Sequence, residues 1–561
     1  MTGPTAVPAA PTTTAPSGDR RGLLGAVGGV AGLTLVSRAL GFLRWIVQAT
    51  TVGAGTVAGA YATANQIPNV LYEVVVGGAL AATVVPLLAG PVSAGRTGDV
   101  SRTTSALLAL VLVVLTPLAL IMALCADPIA GLFPVSQGVD ASIQRDLVAA
   151  FLRMFAVQIP LYGVGVVLTG VLQAHGCFTW PALTPVLSSL VVMATYAVYG
   201  ALTPTADTAS PTALYVLGWG TTAGVAALSL PLLWPVRRLR LRLRPCLRLE
   251  RATWTKALRL GSAGIWTLVA QQISVVAVLA LARAGGQTGT VAVYQYTQAV
   301  YLLPYAVLVV PVATVIYPRL AAAFDHDGND AGGAHALTAR STALVTGVAV
   351  AGAGMLVAAA HGAERFFSLL ADVDGMGTSL VLLAPGLVGY ALIYQVTRAL
   401  YAANRPRGAA GAAAVGWLTV ALGSWAAVAL LAPHGGDGVA TLEGLALGTT
   451  AGMCVAGVGL LVVLARCLGA RVLAPTARIL AVTVPVAAAA GLACNWLSRQ
   501  PGQVAGTVAV ALVGAVVSAA ITLGAVGISD RGLLAAVRHS GHARPDAVDH
   551  AQDEPQSREA E

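Results

Sequence analysis

The feature that most constrains this chain is the recurrence, along its 561 residues, of apolar stretches about as long as a bilayer core is thick. A helix rises 1.5 Å per residue, so about 20 apolar residues cross a hydrocarbon core of about 30 Å. Inside hydrocarbon every backbone N–H and C=O must be satisfied within the protein, so stretches of this length predict helices. Fourteen of them can be read, at 22–47, 57–90, 104–125, 147–172, 178–201, 212–235, 257–283, 290–318, 342–361, 378–402, 408–432, 440–465, 474–497 and 503–527. Composition agrees. The chain is 57% hydrophobic and only 10% charged, whereas a soluble domain is about a quarter charged. The expected fold is an all-α polytopic membrane protein of about 14 transmembrane helices.

Loop charge tests this count. With the N-terminus inside, one set of loops collects Arg20, Arg21, Arg96, Arg102, Arg319, Arg340, Arg405, Arg407, Arg466, Arg471 and Arg478. The opposite set carries only Arg145, Arg283, Arg365 and Arg499, together with Asp127, Asp140, Asp207, Asp372, Asp374 and Asp437. A missed span would scramble this asymmetry downstream, so it supports an even number of spans with both termini cytoplasmic. The net charge of +9 therefore reads as membrane topology and not as a nucleic-acid patch. The cluster Arg237, Arg238, Arg240, Arg242, Arg244, Arg248 and Arg251 falls between spans six and seven and divides the first twelve into two sixes. A solvated topogenic loop touching anionic lipid accounts for it.

The expected organisation follows: a disordered cytoplasmic N-terminus (1–21), a first lobe (22–236), a basic linker (237–256), a second lobe (257–465), two added helices (466–528) and a polar cytoplasmic tail (529–561). A weak internal echo relates the lobes. Span two ends Ala82-Thr83-Val84-Val85-Pro86-Leu87, and span eight ends Ala313-Thr314-Val315-Ile316-Tyr317-Pro318. Paired six-helix lobes around a central cavity suit a transporter that rocks between two openings.

Several chemistries are excluded as readings. The chain has no Walker A loop, no His-Glu-x-x-His and no nucleophile elbow, so neither ATP-driven transport by this chain alone nor hydrolytic catalysis is expected. The six cysteines, Cys125, Cys177, Cys246, Cys454, Cys467 and Cys494, lack metal or redox spacing. No cofactor, metal site or disulfide framework is expected.

The candidate site starts from Arg38, a guanidinium in the middle of an apolar span, which costs a few kcal/mol unless it faces a partner or a water-filled cavity. Arg44 lies six residues on, about 9 Å along the same helix and on a different face. It either faces the cavity or snorkels to the outer interface. Glu73, mid-span in the second helix, is the natural charge partner of Arg38. A structural Arg38–Glu73 pair is the plainer reading, and would leave less positive potential for a ligand. Pro68-Asn69 and Pro304 interrupt spans two and eight, as expected of kinked helices lining a cavity. Gly77-Gly78 permits close helix approach.

The string Ser37-Arg38-x-Leu40-Gly41-Phe42-x-Arg44, then Gly53-Ala54-Gly55, Ile67-Pro68-Asn69, Gly78-Ala79 and Val85-Pro86, resembles the opening of the MurJ/MviN family of lipid II flippases, within the MOP exporter superfamily. Phe178-x-x-Pro181-Ala182-Leu183-x-Pro185, Arg398-Ala399-Leu400-Tyr401-Ala402 and Gly444-Leu445-Ala446-Leu447 extend the resemblance, which covers about 22–530. It implies a fourteen-span fold in the bacterial plasma membrane and a cationic central cavity. It also implies a flippase carrying undecaprenyl-diphosphate-linked glycan to the outer leaflet, with Arg38 and Arg44 on the diphosphate, spans thirteen and fourteen beside the lipid tail, and cell-wall synthesis proteins as partners. The chain departs from the family at Gly59 and Gly77, where an acidic residue is usual, at Tyr72 and Ala299, where arginine is usual, and at Glu73, often basic. Spans seven and eleven lack the carboxylates through which some members bind sodium. These departures keep two further readings open: a flippase of another lipid-linked polysaccharide or amphiphile, and a non-transporting scaffold of envelope synthesis.

Overall fold

A computed structural model describes residues 20–74, 81–203, 209–243, 265–325 and 331–529. Gly77, Gly78, most of the basic linker and nearly all of both predicted tails lie outside the described residues. Within them the regular structure is helical, apart from one isolated bridge between Gln137 and Gln287.

Twelve segments among the described residues are long and apolar enough to cross a membrane, and they coincide one for one with predicted spans three to fourteen. They are Thr97–Leu124, Ala141–Ala174, Thr179–Leu202, Pro211–Arg238, Ile265–Gly285, Thr290–Phe324, Gly332–Phe367, Met376–Ala402, Pro406–Leu431, Gly438–Leu468, Ala470–Ser498 and Val504–Ser529. Span one is the 32-residue helix Arg20–Thr51. Of span two, the described residues form the helices Thr56–Tyr72 and Ala81–Ser93. The chain is thus an all-α polytopic membrane protein. Spans four and nine are longer than their hydropathy predicts, because the helices continue past the hydrocarbon into polar sequence. Asp140 starts span four as an N-cap, accepting from the Ser142 backbone N–H at 2.8 Å.

Pro68 and Pro304 each lie inside a helix that continues through them, and each precedes a stretch of widened helix. Pro68 sits inside Thr56–Tyr72, which loosens into a π-turn at Glu73 and Val74. Pro304 is followed by a π-turn over Tyr305–Val309. Proline cannot donate, so Pro68 and Pro304 deprive the Ala64 and Val300 carbonyls of their usual partners; past the π-turn, where the Val310 N–H donates to the Tyr305 carbonyl, Pro311 does the same for Ala306.

The helices pack in two groups. In the first, span one lies along span five, five along six, and the second half of span four against spans three and six. In the second, span twelve is wedged between ten and eleven, seven lies on eleven, and nine holds ten, thirteen and fourteen. Small residues permit the tightest contact. Gly448, Gly452 and Ala456 on span twelve face Ser424, Val420 and Gly416 on span eleven so closely that a Cβ on either glycine would meet span eleven backbone. This is the small-residue spacing that lets helices approach in lipid, where no hydrophobic driving force exists between them. Outward faces are apolar, for example Leu120, Trp425 and Val516, as lipid contact requires.

Contacts between the groups concentrate where spans one and two meet seven and eight. Gly289 has φ +95° and lies against the Ala54 carbonyl, leaving no room for a side chain. Gly59 touches the Gly289 backbone in turn. An acidic side chain at position 59 would be forced into that contact.

Candidate functional site

Arg38 is half-buried and turns toward the second group: its Nη1 donates to the Ala306 carbonyl, inside the π-turn of span eight. The guanidinium is also close enough to Tyr305 to act on it electrostatically. Glu73 is not its partner here. Among the described residues no ion pair joins the two; Glu73 is exposed and acts on Tyr72 and Tyr390. The widened turn after Pro304 offers Arg38 a carbonyl instead of a carboxylate, so its positive charge is hydrogen-bonded without being neutralised.

Arg44 points elsewhere, as the angular step predicts. Its guanidinium lies 5.7 Å from the Trp45 ring centroid and acts electrostatically on Tyr61, Tyr162 and Tyr196 in the first group. Two of them, Tyr61 and Tyr196, belong to a buried polar network. The Tyr61 hydroxyl meets Tyr196 at 2.9 Å and Thr221 at 3.0 Å, and Tyr196 donates to Gln48 Oε1 at 3.1 Å. Asn69, beside the buried Pro68, accepts from the Tyr162 hydroxyl at 3.2 Å. Tyr72, where arginine is usual in the resembled family, packs on Tyr162 with ring centroids 4.6 Å apart.

Two arginines emerge that the sequence reading did not place in the site. Arg398 stacks on Tyr394 at 3.8 Å and stands 5.4 Å from Tyr317. It shares Tyr305 with Arg38 as an electrostatic neighbour. Only its place in a motif marked it in the sequence. Arg283 was counted as an outer-loop charge, yet it is 3% exposed. It occupies the last turn of span seven and reaches across to the first group. Its Nε donates to the Pro134 carbonyl at 2.7 Å, Nη1 to Thr63 Oγ1 at 3.1 Å, and Nη2 to Gln144 Oε1 at 3.1 Å. Around it the Thr288 hydroxyl meets Thr56 at 3.1 Å, the Thr288 N–H donates to the Gln137 carbonyl at 2.9 Å, and the Tyr296 hydroxyl donates to the Gly53 carbonyl at 2.6 Å. This end of the bundle is closed.

Below that seal lies a cavity of about 400 Å³ within the second group, bordered by Trp45 and Gln66 of spans one and two. Its polar lining comprises Gln66, Gln271, Gln295, Gln298, Ser274 and Thr449; Tyr294, Tyr301, Tyr390 and Trp417 supply aromatic surface. Among the described residues no Asp, Glu, Lys, Arg or His side chain lines it. Ala299, where the resembled family has arginine, is part of this uncharged wall. Tyr390 also packs edge-on against Tyr305 at 4.8 Å, which joins the neutral cavity to the ring that Arg38 and Arg398 share.

Two helical groups sealed against each other at one end, a cavity inside the second group and guanidiniums held within apolar spans fit a multi-pass membrane transporter. The chain matches the profile of the family described as lipid II flippase MurJ over residues 48–513, and it belongs to that family. The match begins after Arg38 and Arg44, so their role rests on geometry and on the local resemblance. Among solved structures the chain is similar to one of a lipid II flippase MurJ in an inward closed conformation, with TM-score 0.68 and 17% identity, covering 90% of this chain and 99% of that one. It is also similar to an inward-facing multidrug resistance MATE transporter of the MOP superfamily, at TM-score 0.61 and 13% identity, covering 77% and 95%. An outward-facing MATE structure follows at TM-score 0.55 and 14% identity, covering 79% and 96%. At these identities the likeness is one of fold.

Proposed function

We propose that this protein is a flippase that moves lipid II, an undecaprenyl-diphosphate-linked glycan, from the inner to the outer leaflet of the bacterial plasma membrane. Family membership gives the class. The observation that carries the reading is Arg38: a guanidinium inside a membrane span, hydrogen-bonded to the Ala306 carbonyl and left without a carboxylate. A diphosphate cannot enter hydrocarbon unaided, because burying unpaired charge costs far more than thermal energy. Arginine meets that need with a planar fork that grips phosphate oxygens and stays charged. Arg44 is the second anion contact, with Pro68, Asn69, Gly78 and Pro304 as hinge or cavity positions.

With both termini cytoplasmic, the sealed end around Arg283 faces outward. The cycle loads the diphosphate from the inner leaflet, breaks the seal and releases it outside while the lipid tail stays in the bilayer. An inside-negative potential favours export by about 2.3 kcal/mol per negative charge per 100 mV. The uncharged cavity favours one alternative cargo, another lipid-linked glycan of the same general build.

Complementation of a conditional lipid II flippase deletion tests the reading. Rescue by the wild type but not by Arg38→Ala is the expected result. Failure of the wild type to rescue, at normal membrane abundance, would reject lipid II as the cargo.

A further inference from the structure

We infer that Pro311 is a positioning residue for Arg38: by lacking an N–H it keeps the Ala306 carbonyl open, and that carbonyl pins the guanidinium that takes the diphosphate. This role rests on the flippase reading for the nature of the ligand. It follows from the hydrogen-bond register of span eight. In an α-helix the Ala306 carbonyl would accept from the N–H of residue 310, and in a π-turn from that of residue 311. Val310 donates to the Tyr305 carbonyl instead, and position 311 is proline, which has no N–H to give. Ala306 thus loses both intrahelical donors. A carbonyl left unpaired at membrane depth is strongly unfavourable, and Arg38 Nη1 supplies the missing donor. Pro304 cannot do this, because its own missing N–H opens the carbonyl of Val300, farther up the helix.

The carbonyl is a fixed post. Val309, in the same turn, is fully buried in a cluster with Ala343, Val345 and Ala349 of span nine. The Tyr305 ring rests edge-on against Tyr390 and Tyr394 of span ten, at 4.8 and 5.8 Å. Held to this turn through Nη1, Arg38 makes no other hydrogen bond or ion pair among the described residues. Its Nε and Nη2 edge is left for phosphate oxygens, which a guanidinium takes in pairs. A long side chain gives up rotamer freedom when it grips a ligand, and one already pinned gives up less. The Pro311 ring is itself exposed, so it fills no core site. What it contributes is the missing donor.

Binding of undecaprenyl diphosphate to the full chain in lipid nanodiscs tests this. Pro311→Ala supplies an N–H that competes for the Ala306 carbonyl, and affinity should fall about tenfold. Replacing Pro311 with lactic acid, the hydroxy-acid analogue of alanine, puts an ester oxygen where that N–H would be. The ring is lost but no donor is added, so affinity should stay at the wild-type level; a proline acting only as a bend would be missed equally in both variants. In an Arg38→Ala background Pro311→Ala should have no further effect, because both changes act on one ligand contact. Lipid II translocation in proteoliposomes should show the loss as a higher half-saturating mole fraction with the maximal rate unchanged. Unchanged or tighter binding in Pro311→Ala, an equal loss in the lactic acid variant, or a further loss on top of Arg38→Ala would overturn the inference. Wild-type binding that depends on Arg38 but not on an N–H at position 311 rejects the positioning role and leaves the flippase reading standing. A wild type with neither Arg38-dependent binding nor translocation rejects both.

Discussion

Arg283 and Gln144, 139 residues apart in the chain, are joined by a 3.1 Å hydrogen bond from Nη2 to Oε1 that ties one helical group to the other. The bond is one of three that a single buried guanidinium makes to neutral oxygens of the opposite group. Such a latch holds without being permanent. Arginine bonded to a backbone carbonyl, an amide and a hydroxyl lacks the deep attraction of a buried ion pair, and all its partners are groups that water can replace when the halves separate.

Arg283→Gln should therefore open this end. Removing three charge-assisted bonds, each worth about 1.5–3 kcal/mol, shifts the equilibrium away from the sealed state. Thr288→Cys, placed in a background free of the native cysteines, should be labelled by a membrane-impermeant maleimide several-fold faster when Arg283→Gln is also present. Unchanged labelling would show that the backbone contacts at Gly289 suffice for closure.

Gly289→Ala should act in the same direction by a different route. Its φ of +95° and its contact with the Ala54 carbonyl exclude a Cβ, so the added methyl prevents full closure. Accessibility at Thr288→Cys should rise and transport should fall, with protein abundance in the membrane little altered.

Arg398→Ala should lower translocation by about 10- to 100-fold if its guanidinium shares the phosphate with Arg38, the range expected for loss of a hydrogen bond to a charged group. The double variant with Arg38→Ala should fall less than the product of the two single effects, because residues acting on one ligand group are not additive. Proteoliposome rates for the four proteins give the cycle.

Gly452→Val should destabilise the second group by about 1–3 kcal/mol or more, as overpacking does. The new side chain would collide with Val420 and the span eleven backbone. A lowered thermal midpoint in detergent checks it, with Val455→Ala on the lipid-facing side as the neutral comparison.

At the head of span four, hydrogen bonds from the Ser142 hydroxyl and backbone N–H hold the Asp140 carboxyl below its ordinary value. Its folded value is depressed, so the cap's contribution is present above the ordinary aspartate range and is lost as pH falls through the lowered value. Asp140→Asn should remove this acid dependence while keeping the cap, which pH-dependent thermal melts of the two proteins would show.

Much of this architecture was legible in the chain because hydrophobic length, proline position and loop charge are local properties. Spans three to fourteen fell where the apolar stretches lie, and a π-turn follows Pro304 in span eight. Arg38 stood out because a charge within 20 apolar residues needs an explanation wherever it occurs. Pairings were not legible. Glu73 was the nearest opposite charge by inspection, yet Arg38 bonds to Ala306, because only the packed structure reveals a carbonyl freed by a π-turn 268 residues away. Arg283 looked like a loop charge, since hydropathy records where a helix leaves the hydrocarbon and not what it then packs against. Gln66, Gln271, Tyr301 and Trp417 each read as ordinary helix residues. They become one uncharged cavity only because helices far apart in sequence meet there. The sequence determined which segments enter the membrane, through transfer energies that each segment carries alone. Tertiary structure decided which polar groups share a site, because hydrogen bonds and cavities belong to pairs of surfaces.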